Sequence, residues 1–152
     1  MSLEQEVELI RRFPIFSKIA PAKQKLLCFS SERLTYSAGQ EIFHMRDPGD
    51  ACYVVIVGDI EITVDRPNGQ EPLSLGTVGP NGIIGEIAIF GQVPRTASAT
   101  AKTRVEVLRI SAELFRSVIR ENPDAAIELI RNLAERLANT TAILSRESGS
   151  AN

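Results

Sequence analysis

Between Arg33 and Ile110 the chain is cut into short apolar-rich segments by Gly, Pro, Asn and Asp, and this punctuation restricts the fold more than any other feature. Segments 41–45, 51–57, 60–65, 71–77, 97–101 and 105–110 are predicted strands, too short for stable helices and bounded by turn residues. The interruptions are Asp47-Pro48-Gly49-Asp50, Gly58-Asp59, Arg66-Pro67-Asn68-Gly69 and Gly79-Pro80-Asn81-Gly82. Gly58-Asp59 and Asn68-Gly69 are hairpin dipeptides, because glycine and asparagine accept positive φ cheaply. Several short strands at this spacing imply a sandwich or a barrel.

On either side of this block the apolar period becomes helical. The first thirty residues read as helix with a break at Phe13-Pro14-Ile15-Phe16, and Leu3, Val7 and Ile10 share one face. Pro21 suits the first turn of a second helix over 22–29. Ser111 is a good N-cap for a helix carrying Leu114, Phe115, Val118 and Ile119 on one face. Asn122-Pro123 ends it, a longer helix over about 124–146 follows, and the tail Ser148–Asn152 is expected to fray. The expected class is α+β in one domain, 1–152: an N-terminal helical segment over about 1–30, β structure over about 33–110, and C-terminal helices over about 111–146.

Other function classes lose support from what the 152 residues lack. A net charge of −2, with Arg11-Arg12, Lys23 and Lys25 isolated, gives no electrostatic footprint for nucleic acid. His44 is the sole histidine, so no multi-histidine metal site can form, and there is no nucleophile–base pair or Gly-x-Ser-x-Gly. His44 on a strand is expected to be structural or exposed. Cys28 and Cys52 sit among apolar neighbours and read as buried reduced thiols of a cytoplasmic chain. No signal peptide is expected, and the longest apolar run, 51–57, falls far short of the ~20 residues of a membrane helix. The chain could nonetheless be one part of a larger protein.

The chemistry concentrates in Gly85-Glu86-Ile87-Ala88-Ile89-Phe90 and Pro94-Arg95-Thr96-Ala97-Ser98-Ala99-Thr100. A glycine and a carboxylate open one turn of helix, and an arginine beside a hydroxyl follows. A cyclic phosphate suits a guanidinium, which donates in a planar fork and keeps its charge. Amides at the start of a short helix can share the remaining phosphate lone pairs. A carboxylate nine residues before the arginine can accept from a ribose 2′-hydroxyl.

This stretch resembles the phosphate-binding cassette of the cyclic nucleotide-binding domain family, which includes protein kinase A regulatory subunits, catabolite activator proteins and cyclic nucleotide-gated channels. The family pattern, Phe-Gly-Glu-Leu/Ile-Ala and then Pro/Arg-Arg-Thr/Ser/Ala-Ala, is matched by Ile84-Gly85-Glu86-Ile87-Ala88 and Pro94-Arg95-Thr96-Ala97, with Ile84 in place of the aromatic. Gly39, Ile42-Phe43, Gly49-Asp50, Tyr53 and Gly58 extend the resemblance, which covers about residues 11–140. It implies an antiparallel β-roll of jelly-roll type, flanked by N-terminal helices and two C-terminal helices. It also implies a non-enzymatic sensor of cyclic AMP, cyclic GMP or both, with no cofactor and no metal.

The resemblance assigns roles residue by residue. Arg95 anchors the phosphate, Glu86 accepts from the ribose, and the amides of Gly85, Ala88 and Thr96 donate to sugar and phosphate. Ile87, Pro94 and Ala97 complete the cassette, while Ile62, Val78 and Ile84 match the base pocket. A hydroxyl at Thr96 either bonds the guanine amino group of a syn purine or serves phosphate and backbone. Arg136 falls where some channel relatives place a base-contacting arginine, with Leu133, Leu137 and Thr140 beside it; the alternative is a solvated charge. On the same helix Ile127, Ile130, Ala134, Leu137, Thr141 and Leu144 form a short heptad seam. Such a stripe more often packs on its own domain, and a homodimer through it stays open. The last two helices are expected to close over the base and signal to an effector protein of unknown identity. Transcription activators of the family continue into a helix-turn-helix, whereas a few polar residues follow Arg146, so direct nucleic-acid binding is not expected. The rival reading is a degenerate β-roll acting as a nucleotide-independent interaction module.

Overall fold

The computed structural model describes residues 2–150. In chain order the elements are α1 (Leu3–Arg11), α2 (Pro21–Ser30), β1 (Glu32–Tyr36), β2 (Glu41–Phe43), β3 (Ala51–Val57), β4 (Ile60–Val64), β5 (Leu73–Val78), β6 (Ile83–Ile84), α3 (Glu86–Gly91), β7 (Ser98–Ala101), β8 (Val105–Ser111), α4 (Ala112–Glu121) and α5 (Pro123–Ser150). The strands form two four-stranded antiparallel sheets, ordered β1-β8-β3-β6 and β2-β7-β4-β5. This is the jelly-roll arrangement that the family resemblance implies, with helices at both ends.

The apolar run of β3 lacks polar alternation because both of its faces are covered. Tyr53 and Val55 join Ile60, Ile84, Ala99, Val105 and Val107 between the two sheets. Cys52 and Val54 point the other way, into a second core with Ile10, Phe16, Leu27, Ile110 and Phe115 from the helices and β8. Phe16 and Phe115 meet edge to face there, with ring centroids 6.2 Å apart. The helices are thus bolted to one sheet, and part of the inter-sheet cluster, at Phe43, Ile62 and Val78, is left only partly buried.

Local chemistry fixes the helix ends. Ser2 accepts from the Gln5 amide while the Gln5 side chain accepts from the Ser2 amide, a reciprocal cap on α1. Ser111 accepts from the Leu114 amide at 3.2 Å and starts α4. Ser111→Ala is expected to cost about 1 kcal/mol of folding stability, read from urea midpoints. Asn122 is extended (φ −130°, ψ 93°), as a residue before proline prefers, and Pro123 opens α5.

Several predicted boundaries move for identifiable reasons. β5 begins at Leu73 instead of Glu71, since Pro72 has no N–H for the ladder. β2 stops at Phe43, where its register against β7 shifts and Arg46 soon takes φ 80°. β1 escapes the sequence reading because only Leu34 and Tyr36 of this edge strand pack toward the core. β6 is two residues long and leaves no periodic trace. α5 continues to Ser150, beyond the expected end near Arg146, so Ser148–Ser150 are helical; Ala151 and Asn152 lie outside the described residues.

The seam on α5 corrects a second expectation. Ala125 and Leu129 are buried against the domain, but Ile127, Ile130, Leu137 and Leu144 are 53%, 64%, 69% and 47% exposed. Ala134 and Thr141 are exposed with them. Most of the heptad stripe is left uncovered by its own domain, and Ala125 and Leu129 on a different face of the helix supply the packing. Cys52 is buried as expected, whereas Cys28 is half-buried. His44 is exposed and bonds Glu41, which raises its pKa. Among the described residues no helix is long and apolar enough to cross a membrane.

Candidate functional site

The cassette begins where β6 ends. Gly85 turns the chain at φ 85°, ψ 2°, a left-handed conformation that costs other residues energy. A Cβ there would also stand 2.6 Å from Arg95 Nη1. Glycine is therefore required twice, for the backbone and for the close approach of the arginine. α3 is only six residues long and ends at Gln92, itself left-handed at φ 52°. Val93–Ala97 then lead back into the sheet at β7.

Arg95 is buried, at 3% exposure. Its backbone is clamped from both sides by the loop before β3: its amide donates to the Asp47 carbonyl and its carbonyl accepts from the Arg46 amide, both at 2.8 Å. The guanidinium donates to the carbonyls of Gly85 (3.0 Å) and Ala51 (2.7 Å), and lies 4.3 Å over the Phe43 ring. Asp50 stands 3.8 Å away. So the expected anion anchor already holds strands β3 and β6 together, with part of its fork spent on backbone carbonyls.

Glu86 is completely buried. Its Oε1 accepts from Arg136 Nη1 at 2.7 Å, and Arg136 Nη2 donates to the Ile83 carbonyl at 2.6 Å. Burial raises the Glu86 pKa and outweighs the lowering by Arg136. The alternative of Arg136 as a solvated surface charge is corrected by this pairing. α5 instead reaches across the mouth of the roll and grips the cassette carboxylate. Its far end is tied to the β4–β5 hairpin by the ion pair of Arg66 with Glu147.

Three buried side-chain polar atoms have no hydrogen-bond partner among the described residues, and two of them belong to this pair: Glu86 Oε2 and Arg95 Nε. The third, Ser31 Oγ, follows α2. Buried polar groups without partners are costly, so an acceptor and a donor left over on one cassette point to a ligand offering both a donor and an acceptor.

A cavity of about 870 Å³ lies between the cassette, the sheet carrying β4 and β5, and α5. Ile62, Val78 and Ile84 line it, as does the cassette at Gly85, Ile87, Ala88, Arg95, Thr96 and Ala97. Arg136, Leu133, Leu137 and Thr140 line it from the helix. Thr96 is exposed. Two expected site residues are not brought to the cavity wall: Glu86 is buried behind it, and Pro94 faces a separate cleft on the other side of the cassette. The sequence reading missed Phe43, Leu75, Gly76, Asn132 and Asn139, which also line the cavity. Phe43 was legible as the aromatic of the Ile42-Phe43 pair, but its stacking partner is Arg95, 52 positions away.

Comparison with known proteins agrees with this fold. Residues 33–122 match the family model described as the cyclic nucleotide-binding domain. The chain is 34% identical over 133 residues to the CRP-like cAMP-activated global transcriptional regulator of Mycobacterium tuberculosis, covering 88% of this chain and 59% of that protein. It thus spans little more than half the length of this relative. The catabolite activator protein of Thermus thermophilus superposes with a TM-score of 0.73 at 30% identity, over 89% of this chain and 63% of that one. The regulatory domain of Toxoplasma gondii protein kinase A, solved with cAMP, gives 0.77 at 17% identity over 88% and 50%, a likeness of fold.

Proposed function

This chain belongs to the cyclic nucleotide-binding domain family, and on that premise we propose that it is a non-enzymatic cyclic AMP sensor whose C-terminal helices carry the signal. The observation that carries the reading is the pair of unpartnered buried atoms, Arg95 Nε and Glu86 Oε2, on one cassette. A cyclic phosphate accepts from the first, and a ribose 2′-hydroxyl donates to the second once movement of α5 opens the wall that covers Glu86. The base then lies along Ile62, Val78 and Ile84, under α5. Cyclic AMP is favoured because the mycobacterial relative is cAMP-activated. The exposed hydroxyl of Thr96 keeps cyclic GMP as the second ligand.

Signal output follows from Arg136. Its grip on Glu86 fixes α5 against the cassette, and ligand contact with that carboxylate changes what the arginine gains there. The nucleotide shifts the position of α5 only by its difference in affinity for the two arrangements. The partner reading is a homodimer through the exposed seam of α5, together with an effector protein. The 152 residues themselves, at net charge −2, lack the basic surface of a nucleic-acid binder. A cytoplasmic location belongs to the same proposal.

Titration calorimetry of nucleotide-stripped protein tests the sensor. Saturable heat with cyclic AMP, stronger than with cyclic GMP, is expected. A folded protein that gives no heat with either leaves the nucleotide-independent interaction module as the better account. For the dimer, Ile130→Glu is expected to convert a sedimenting dimer into a monomer, because a charge at a 64% exposed seam position is tolerated only when the seam is unpaired. A wild-type chain that sediments as a monomer at high concentration overturns the dimer.

A further inference from the structure

On the outer side of the cassette, away from the nucleotide cavity, the loop before β3, the loop after α3 and helix α4 enclose an open cleft of about 570 Å³. Its cationic groups are Arg46 and Arg116, and no carboxylate lines it. Arg46 is paired with Asp65 at 2.7 Å. Arg116 differs: it is half-buried on α4, and no hydrogen bond or ion pair engages it among the described residues. A partly desolvated guanidinium without an anion is unfavourable in a free protein. In a chain of net charge −2 it is a local exception to the overall sign.

Val93 lines the cleft at 41% exposure, together with Pro48, Ala88 and Pro94. Gly49 forms part of the wall, where a Cβ would collide with Ala88 of α3. The loop before β3 and the cassette helix therefore meet at van der Waals distance. A shift of the cassette reshapes the cleft.

We propose that this cleft docks an acidic segment of a partner protein, with a carboxylate on Arg116 and an apolar side chain against Val93 and Pro94. Charge complementarity selects the occupant: with Arg46 already paired to Asp65, the free guanidinium of Arg116 repels a basic segment and is left without an anion by a neutral one. The cleft is open and mixes charged with apolar groups, which suits a peptide better than an enclosed small anion. The docking surface does not depend on the nucleotide reading, since Arg116 and Val93 do not line the nucleotide cavity.

The test uses the full isotope-labelled chain and four probes: a short acetylated peptide of alternating glutamate and leucine, its lysine-for-glutamate and serine-for-leucine counterparts, and inorganic phosphate. The expected result is saturable amide shifts confined to Arg46, Gly49, Gln92, Val93 and Arg116 with the first peptide. Affinity should fall about tenfold or more for each counterpart, and likewise for Arg116→Glu. Arg116→Met should leave the thermal midpoint unchanged or raise it. Phosphate that matches the peptide makes the cleft a small-anion site and overturns the proposal. So do shifts elsewhere, no shifts at all, or a midpoint lowered by Arg116→Met, which would assign the guanidinium a structural role.

Discussion

Arg95→Ala is expected to remove saturable nucleotide binding and to weaken the ligand-free fold as well. For the ligand, the loss is the charge-assisted contact to phosphate, about 1.5–3 kcal/mol per hydrogen bond, so affinity should fall on the order of a hundredfold. For the fold, the loss is different. The side chain donates to the Gly85 and Ala51 carbonyls and covers the Phe43 ring. Removing it leaves two carbonyls without their donor, at about 1–3 kcal/mol for a fully buried group. Arg95→Lys separates the two effects. A lysine keeps the charge and one carbonyl contact but has no planar fork, so it should restore most of the stability and little of the affinity. Calorimetric titration beside urea denaturation of both variants reads this out. A folded Arg95→Lys that binds as tightly as the wild type would count against the phosphate anchor.

Glu86→Gln is expected to act in opposite directions on stability and on binding. The carboxylate is fully buried, and burial raises its pKa above the ordinary 4.5 despite the Arg136 contact. The folded state therefore holds this proton more tightly than the unfolded chain. Linkage then gives the sign: where the folded state binds more protons, stability falls as pH rises. The stabilisation from protonated Glu86 is full below the unfolded value and is lost as pH climbs through the raised folded value. Glu86→Gln removes that slope, so the variant should gain on the wild type as pH rises from 5 to 7.5. Arg136 tolerates the change because it keeps the Ile83 carbonyl and is 27% exposed to water. Binding should weaken about tenfold, since an amide oxygen is a poorer acceptor for a ribose hydroxyl than a carboxylate. Denaturation curves at the two pH values measure the first effect, and calorimetry the second. Parallel pH profiles for the two proteins would show that burial does not set the state of Glu86. A residue that lowers stability and raises affinity is one kept for function.

Much of the site was legible because its parts are local. Gly85, Glu86, Arg95 and Thr96 lie within twelve positions, and each residue type has one evident use. Less legible was what each group does before a ligand arrives. Arg95 meets Ala51 across 44 positions and Arg136 meets Glu86 across 50. No spacing rule reaches that far. Proline and register rules explain β5 and β2 once the sheet is known, but the pairing partners had to be seen first.

The sequence alone determined the block of short strands, the caps at Ser111 and Pro123, and the cassette with its carboxylate and arginine. These depend on backbone preferences and on side chains a few residues apart. The tertiary structure decided which atoms of the cassette are engaged and which are left over. It also decided which stripe of α5 is covered. Periodicity marks apolar residues on a helix but does not say which of them faces the roll. That depends on where Ala125, Leu129 and Arg136 find partners, and their docking turns the heptad seam outward.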